Sequence, residues 1–185
     1  MLIITKKANI AKLGFVGIGM GGSRLAAECT DYISKDTEYP YNSLLVNMNK
    51  GDEDSICYNN VSGQRKILLG SGKGTGVDPA VGYYILDKER IKIERAIEEQ
   101  FKESDFIFVT VGLGGGTGTG ALLEIIKTLE IKGYKNIIGL MLILPRIIQG
   151  STKINNTLSP STQIEHFLLI KDEHFLFGKD SLLMF

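Results

Sequence analysis

The clearest chemistry in this sequence lies in a run of seven glycine and threonine residues. The run follows the nearly continuous apolar stretch 106–112 and leads into Ala121, Leu122 and Leu123, so it predicts a strand, a tight turn and a helix in succession. Glycine lets backbone N–H groups approach a ligand closely, and a helix N-terminus adds partial positive charge. The run therefore predicts a phosphate cradle, formed by Gly114, Gly115, Gly116, Thr117, Gly118, Thr119 and Gly120.

Two further glycine-rich segments each follow a predicted strand. The segment at residues 17–22 matches the GxGxxG pattern and leads into a helix, although by itself it also fits a tight turn that binds no ligand. The segment at residues 70–76 invites comparison with a Walker A loop. Gly74 stands where that motif requires Ser or Thr, so a flexible surface loop is the alternative interpretation.

The composition points to no charged partner. Lys plus Arg and Asp plus Glu number 21 each in 185 residues, so no overall field favours nucleic acid or an anionic membrane. No apolar run approaches the roughly 20 residues that a membrane-spanning helix needs. Cys29 and Cys57 lack metal-ligand spacing, and His166 and His174 each stand alone. We therefore expect a cytoplasmic protein with reduced thiols, no metal site of its own, and no direct contact with nucleic acid or membrane.

Apolar runs and helical periodicities alternate along the chain. Strands are predicted at residues 13–17, 44–48, 66–69, 105–111 and 137–144. One long helix is predicted from Pro79, with Asp78 as its cap, and another after the glycine–threonine run, ended by Gly133. Beyond residue 145 we expect a helix at 155–169 interrupted by Pro160, and a last strand at 167–170. Strands buried on both faces and alternating with helices indicate an α/β fold, a doubly wound, mostly parallel sheet with helices on both faces.

The three glycine segments are expected to meet, because loops at the carboxyl ends of parallel strands converge on one edge of the sheet. Three sets of backbone N–H groups on one edge imply a large polyanionic ligand, such as a nucleoside di- or triphosphate. A Rossmann-type, NAD-binding oxidoreductase is a remote alternative that rests on Gly17, Gly19 and Gly22. The second predicted strand ends in Asn47 and Asn49, where an NAD site requires an acidic residue for the ribose.

Together these motifs resemble the tubulin and FtsZ superfamily of polymerising GTPases. The similar segments are residues 114–120 for the family's signature, 17–23 for its first phosphate loop, Asn47 for its second loop, and 72–82 for its third loop. Met20 and residues 26–29, 39–41, 46–47 and 144–146 look most like TubZ, the plasmid- and phage-borne branch of the family. The resemblance covers about residues 12 to 146.

The resemblance implies that the chain binds GTP or GDP, with Mg²⁺ accompanying the nucleotide. It places phosphate contacts at Gly17, Gly19, Met20, Gly21, Gly22 and Ser23, at Gly72, Gly74, Thr75 and Gly76, and at residues 114–120. It also assigns a second-loop contact to Asn47. Gln149 and Lys153 stand where the FtsZ branch has its ribose and base contacts, with an amide and an amine in place of Glu and Arg. Family members assemble head to tail, so the resemblance implies nucleotide-dependent filaments that segregate plasmid or phage DNA in the cytoplasm.

The resemblance also leads to an expectation about domains. Residues 1–11 are expected to form an N-terminal extension, 12–170 a GTP-binding domain incomplete at its C-terminal end, and 171–185 a divergent tail. The family's core helix, its loop with a catalytic acid and its second domain are expected to be absent from this truncated chain. We therefore expect no catalytic residue here, nucleotide binding with uncertain turnover, and impaired self-association. The alternatives are a non-hydrolysing cap on filaments of a full-length homologue, and a fragment without function.

Overall fold

The computed structural model describes residues 11–36, 41–56, 63–134 and 138–143. Within them, five parallel strands form one sheet in the order β3-β2-β1-β4-β5. The strands are β1 (Leu13–Ile18), β2 (Asn42–Asn47), β3 (Gln64–Leu68), β4 (Phe106–Gly112) and β5 (Ile138–Ile143). The helices are α1 (Gly19–Asp36), α2 (Lys50–Asp54), α3 (Pro79–Lys88), α4 (Arg90–Phe101) and α5 (Gly116–Ile131).

β1 lies at the centre of the sheet because its side chains are apolar on both faces. Val16 pairs with Leu44 of β2 and with Val109 of β4, and all three side chains are fully buried. Strands buried in this way are typical of parallel sheets covered by helices on both sides. The predicted parallel sheet is confirmed, and its strands begin and end within one or two residues of their predicted bounds.

Helices cover both faces of the sheet, as the alternation of side chains along each strand requires. On one face, Phe15 of β1 packs in a small core with Leu45 of β2 and Ala26 of α1. On the other face, Val16 belongs to a larger core that also contains Ile125 of α5. α3, α4 and α5 cover this second face and pack into that larger core, so the doubly wound α/β prediction is confirmed.

The long helix predicted from Pro79 is in fact two helices, α3 and α4, which meet at Glu89. The predicted cap is present, since the Ala80 N–H donates to Asp78 Oδ1 at 2.8 Å. Glu89 leaves the helical conformation, with φ −103° and ψ 19°, and its carboxylate accepts the Gly70 N–H at 2.6 Å. The break therefore accompanies a contact between the helix pair and the loop after β3, which helical periodicity does not report.

Several sequence predictions concern residues outside the described ranges. They are the helix at 155–169, the strand at 167–170, the ribose and base contacts at Gln149 and Lys153, and the two terminal segments. These stay predictions. Among the described helices, none combines the length and hydropathy that crossing a bilayer would take.

Candidate functional site

The three glycine segments meet in one cleft of about 470 Å³ at the carboxyl ends of β1, β2 and β4. That volume lies within the range of about 300–1,000 Å³ that is usual for small-ligand sites. The structure therefore brings the three segments together at one edge of the sheet, as predicted. The residues that line the cleft are Ile18, Gly19, Met20, Gly21, Asn49, Asp52, Lys73, Gly74, Thr75, Gly76, Val77, Gly112, Leu113, Gly115, Gly116, Thr117 and Gly118.

The first wall of the cleft is the N-terminus of α1. β1 ends at Ile18 and α1 begins at Gly19 with no loop between them, because Gly19 takes the left-handed φ of 69°. Gly19, Met20 and Gly21 line the cleft from this first turn. The first N–H groups of a helix have no partner within the helix, and they carry its positive dipole end. This wall can therefore hold an anion with backbone groups alone.

Gly17, Gly22 and Ser23 of the same segment do not line the cleft; they hold α1 against the sheet. A methyl group built on Gly22 would collide with the Thr110 carbonyl oxygen, and one built on Gly17 would lie 2.6 Å from Ser23 Cα. Ser23 Oγ donates to the Gly17 carbonyl at 3.2 Å, and Thr110 Oγ1 donates to the Gly22 carbonyl at 2.7 Å. These residues position the N-terminus of α1, as close helix–strand packing requires.

The second wall is the N-terminus of α5, which begins inside the glycine–threonine run. Only Gly114 and Gly115 form the turn, whereas Gly116 is already the first helical residue. Gly115 is the cap residue and supplies no side-chain hydrogen bond. The Thr119 hydroxyl accepts the Gly114 N–H at 3.3 Å, which closes the turn, and neither residue lines the cleft. Most of the predicted loop is therefore an uncapped helical turn.

The helical glycines of this run allow backbones to approach closely. A methyl group built on Gly118 would collide with the Gly112 carbonyl, and one on Gly120 with the Pro79 carbonyl. Gly82 of α3 faces the Gly116 carbonyl in the same way. Glycine in a helix normally costs about 1 kcal/mol relative to alanine, so the packing of α5 on α3 and β4 is the physical reason for it here. Gly114 and Gly120 themselves lie outside the cleft lining.

The two helix N-termini are neighbours in space. A methyl group built on Gly19 would come within 3.3 Å of the Gly118 nitrogen, so the first turns of α1 and α5 face the same part of the cleft. α3 differs, because Asp78 caps its N-terminus with a carboxylate. Two adjacent N-termini without a side-chain cap on α5 favour a ligand with more than one negative charge.

The third wall is the glycine loop between β3 and α3. Gly70, Gly72, Gly74 and Gly76 all have left-handed φ values, from 62° to 80°, and Val77 follows them at 68°. The loop is fixed to the β2–α2 turn by two backbone hydrogen bonds. The Lys50 N–H donates to the Gly72 carbonyl at 2.9 Å, and the Gly74 N–H donates to the Met48 carbonyl at 2.8 Å. Gly72 does not line the cleft, whereas Gly74, Thr75 and Gly76 do.

Asn47, the predicted second-loop contact, is buried at the end of β2 and does not line the cleft. Its Oδ1 accepts the N–H of Met48 at 2.8 Å and that of Asn49 at 3.2 Å, so it shapes the turn. Its amide nitrogen has no partner among the described residues. Asn49 and Asp52 line the cleft instead. The signal that would have found them is a capping pattern, because Asn49 Oδ1 accepts the Asp52 N–H at 3.2 Å.

Among the described residues, two charged side chains line the cleft, those of Lys73 and Asp52. The nearby Lys50 is engaged elsewhere, with its ammonium 2.8 Å from the carboxylates of both Asp54 and Glu53. Hydrogen bonds to Asp54 and then Glu53 raise the pKa of Lys50. Lys73 is thus the cation that the described residues bring to the cleft, and it was not among the predicted site residues.

A second cleft of about 480 Å³ lies between β3 and the α3–α4 junction. Its lining includes Arg65 and Lys92, but both are paired within the protein, Arg65 with Glu99 at 2.6 Å and Lys92 with Glu89 at 3.0 Å. Its described lining residues include no glycine. The glycine-lined cleft is therefore the candidate functional site.

Comparisons with known proteins identify the family of this chain. The family model described as "Tubulin/FtsZ family, GTPase domain" matches residues 12–171. The tubulin-like protein TubZ of Bacillus cereus is 41% identical over 160 residues, covering 84% of this chain and 36% of that protein. The chain therefore spans about a third of the length of this curated relative.

Two solved structures from Haloferax volcanii share the fold. The GDP-bound monomer of CetZ1 has a TM-score of 0.71 at 25% identity, covering 85% of this chain and 48% of that one. The GTPγS-bound protofilament of CetZ2 has a TM-score of 0.62 at 26% identity, covering 72% and 40%. Since the family model spans most of the chain and TubZ is 41% identical over 84% of it, the chain belongs to the tubulin/FtsZ family and contains that family's GTPase domain.

Proposed function

We propose that the chain binds GTP and GDP in the glycine-lined cleft. The observation that carries the proposal is the meeting of the α1 and α5 N-termini. A methyl group built on Gly19 would come within 3.3 Å of the Gly118 nitrogen, and glycine residues bring backbone N–H groups to the cleft. Such N-termini hold phosphate groups through N–H donors and dipole charge. The family, and the GDP and GTPγS bound to the CetZ structures, support a guanine nucleotide.

In this proposal the phosphates lie on two helix turns and one loop. Gly19, Met20 and Gly21 offer their N–H groups from α1, and residues 115–118 offer theirs from α5. The hydroxyls of Thr75 and Thr117 are further donors in the lining. Gly17, Gly22, Ser23, Gly114, Thr119 and Gly120 act by placing those turns, and Asn47 by shaping the turn after β2. Gln149 and Lys153 are proposed to contact the ribose and base.

We propose that Mg²⁺ enters with the nucleotide. The cleft offers oxygen ligands suited to this ion, namely the Asp52 carboxylate and the Thr75 and Thr117 hydroxyls. Within the described residues, no group of three or more His, Cys, Asp or Glu side chains could hold a metal ion. The fit is thus to a largely hydrated ion held by phosphate oxygens, which would neutralise part of the phosphate charge.

We further propose that the protein associates head to tail in nucleotide-dependent filaments that segregate plasmid or phage DNA in the cytoplasm. The similarity to TubZ supports this, and so does the CetZ2 protofilament. No described residue is proposed as the catalytic acid. In this proposal the acid that positions water would come from a neighbouring protomer.

The test is a nucleotide-binding series with GTP, GDP, ATP and NAD on the purified chain, in Mg²⁺-containing buffer, by calorimetry or fluorescence displacement. We expect the guanine nucleotides to bind most tightly. Equal or better binding of NAD would contradict the proposal and favour the oxidoreductase alternative. Pelleting with GTP, with GDP and without nucleotide then tests filament formation separately, because binding without pelleting would contradict only the filament proposal.

A further inference from the structure

We propose that the second cleft binds an acidic peptide segment of a partner protein, one that carries an apolar side chain among its carboxylates. This basic groove, of about 480 Å³, shares no described lining residue with the glycine-lined cleft, so binding there does not require a nucleotide. Four of its six described lining residues are Lys or Arg, although the whole chain has no net charge. The lining residues are Arg65, Lys88, Glu89, Ile91, Lys92 and Arg95.

Three elements form the basic groove. Arg65 lies on β3, Lys88 is the last residue of α3, and the other described lining residues lie at the α3–α4 junction and on α4. On α4, Arg95 follows Ile91 by four residues and Lys92 by three, so these three side chains are neighbours on one face of the helix. The groove therefore has cations both on the edge strand β3 and on the helices beside it.

Two of these cations have no carboxylate partner among the described residues, namely Lys88 and Arg95. The Lys88 ammonium lies 4.4 Å from the centre of the Tyr84 ring, a contact that does not neutralise its charge. The carboxylate of the lining, that of Glu89, is already paired with Lys92 at 3.0 Å. The described side chains therefore leave the positive charge of the groove unbalanced.

Ile91 places an apolar side chain among these charges. It is 73% exposed, the largest exposed fraction of any large hydrophobic residue in the described ranges. A single exposed isoleucine is ordinary on a protein surface. In a groove that it shares with Lys92 and Arg95, however, it offers apolar contact next to groups that bind carboxylates. A ligand that uses both features has carboxylates and an apolar side chain close together.

The same features disfavour other polyanions. A nucleic acid binds through many phosphate contacts and a positive field, whereas this chain has 21 basic and 21 acidic residues. An anionic bilayer presents a broad surface, whereas the groove is a concave site of limited volume. A short acidic peptide can lie in such a groove, where lysine and arginine side chains recognise its carboxylates.

The experiment measures binding of a fluorescein-labelled synthetic peptide to the full chain by fluorescence anisotropy. The peptide has one leucine flanked on each side by two glutamates, and two matched peptides replace the leucine with serine or the glutamates with lysine. The variants of the chain are Arg95→Glu and Ile91→Ser. Lys102→Glu is the control for Arg95→Glu, because Lys102 is exposed, directly follows α4 and does not line the groove.

We expect Arg95→Glu to weaken binding of the acidic peptide at least about tenfold and Lys102→Glu less than about twofold, because only the first charge reversal lies in the groove. Ile91→Ser should weaken the leucine peptide about fivefold and leave the serine peptide unchanged, since the two apolar side chains contact each other. The lysine peptide should not bind, and added salt should weaken the acidic one. Unfolding temperatures should stay close to that of the wild type. Should Arg95→Glu fail to fold, Lys88→Met repeats the test by removing the other unpaired charge.

Equal binding of the acidic peptide to the wild type and to Arg95→Glu, or no binding to the wild type, would overturn the inference. Single-stranded oligothymidylate and vesicles containing phosphatidylserine are measured in parallel. If either binds as tightly as the peptide and Arg95→Glu abolishes that binding, the groove belongs to a nucleic acid or a membrane and the inference is wrong. Nucleotide binding is decided separately, because the two clefts share no described lining residue.

Discussion

Val77 is the one non-glycine residue in the described part of the chain with a left-handed backbone, at φ 68°. A β-branched side chain makes that conformation costly, by about 1–3 kcal/mol. Val77 is 56% exposed, so burial does not offset the strain. The neighbouring residues hold it in place, since Asp78 caps α3 and its N–H donates to the Thr75 carbonyl at 3.1 Å. The strain therefore lies within the cleft lining itself.

Replacing Val77 with glycine should stabilise the fold. Glycine adopts the left-handed conformation without strain. The free energy released by removing the strain should exceed the entropic cost of ordering a more flexible unfolded chain by about 1 kcal/mol. Val81→Gly is the control, because Val81 is a partly exposed residue inside α3, where glycine should destabilise by roughly 0.5 kcal/mol. Urea unfolding of both variants measures whether each substitution raises or lowers the free energy of unfolding. Destabilisation by Val77→Gly would show that the loop is not strained.

Met20 tests whether the N-terminus of α1 holds an anion. It is the second residue of α1 and 38% exposed, so Met20→Asp should leave the helix intact or stabilise it by about 0.5 kcal/mol. The new carboxylate would repel phosphate and weaken GTP binding at least about tenfold. Ile91→Asp is the matched control for Met20→Asp, because Ile91 is the second residue of α4 and lies outside the cleft. Equal GTP affinity of the two variants would exclude α1 from the phosphate site.

At the scale of elements, the glycine residues have two different tasks. Some bring backbone N–H groups to the cleft, and others let one backbone press on another. α3 and α5 are joined in the second way, through Gly82, Gly116 and Gly120. The strained loop leads directly into α3, and the second wall of the cleft is the N-terminus of α5, so this contact joins the two. A substitution that disrupts the packing of α3 on α5 should therefore lower the stability of the fold, and it should affect ligand binding only as a consequence.

Gly120→Ala and Gly21→Ala should have opposite effects on stability. A methyl on Gly120 collides with the Pro79 carbonyl and lies 2.8 Å from the Tyr83 nitrogen, so we expect a loss of about 2–3 kcal/mol. A methyl on Gly21 finds its nearest atom at 3.7 Å, so alanine should stabilise α1 by up to about 1 kcal/mol. Thermal or urea unfolding of both variants measures the two changes in stability. Equal effects would mean that α3 and α5 are not packed backbone to backbone.

At the scale of the whole molecule, the cleft joins parts that are far apart in the chain. Its lining comes from the ends of β1 and β4, the turn after β2 and the loop before α3. A ligand held by all of them binds only when these segments are brought together by the fold. Binding to the folded state alone must then raise its stability by mass action.

GTP should therefore raise the unfolding temperature of the chain. At a concentration one hundred times the dissociation constant, the gain is about 2.7 kcal/mol, or roughly 5–10 °C for a chain of this size. Differential scanning fluorimetry with GTP, GDP and NAD measures it, and added salt should reduce the shift because phosphate contacts are screened. The Met20→Asp variant should show a smaller shift at the same GTP concentration, because its affinity is lower. A shift of equal size in that variant would place the nucleotide elsewhere.

By itself, the sequence determined the parallel sheet, the covering of both faces and the meeting of three glycine segments at one edge. Those features depend on apolar runs and glycine positions, which are local properties of the chain. Only the tertiary structure decided which glycine residues line the cleft and which pack helices, where α3 ends and α4 begins, and that Asn49, Asp52 and Lys73 line the cleft while Asn47 shapes its turn. Each of these depends on close contacts between segments distant in the chain, such as Gly120 on Pro79 or Gly70 on Glu89, and residue spacing does not record such contacts.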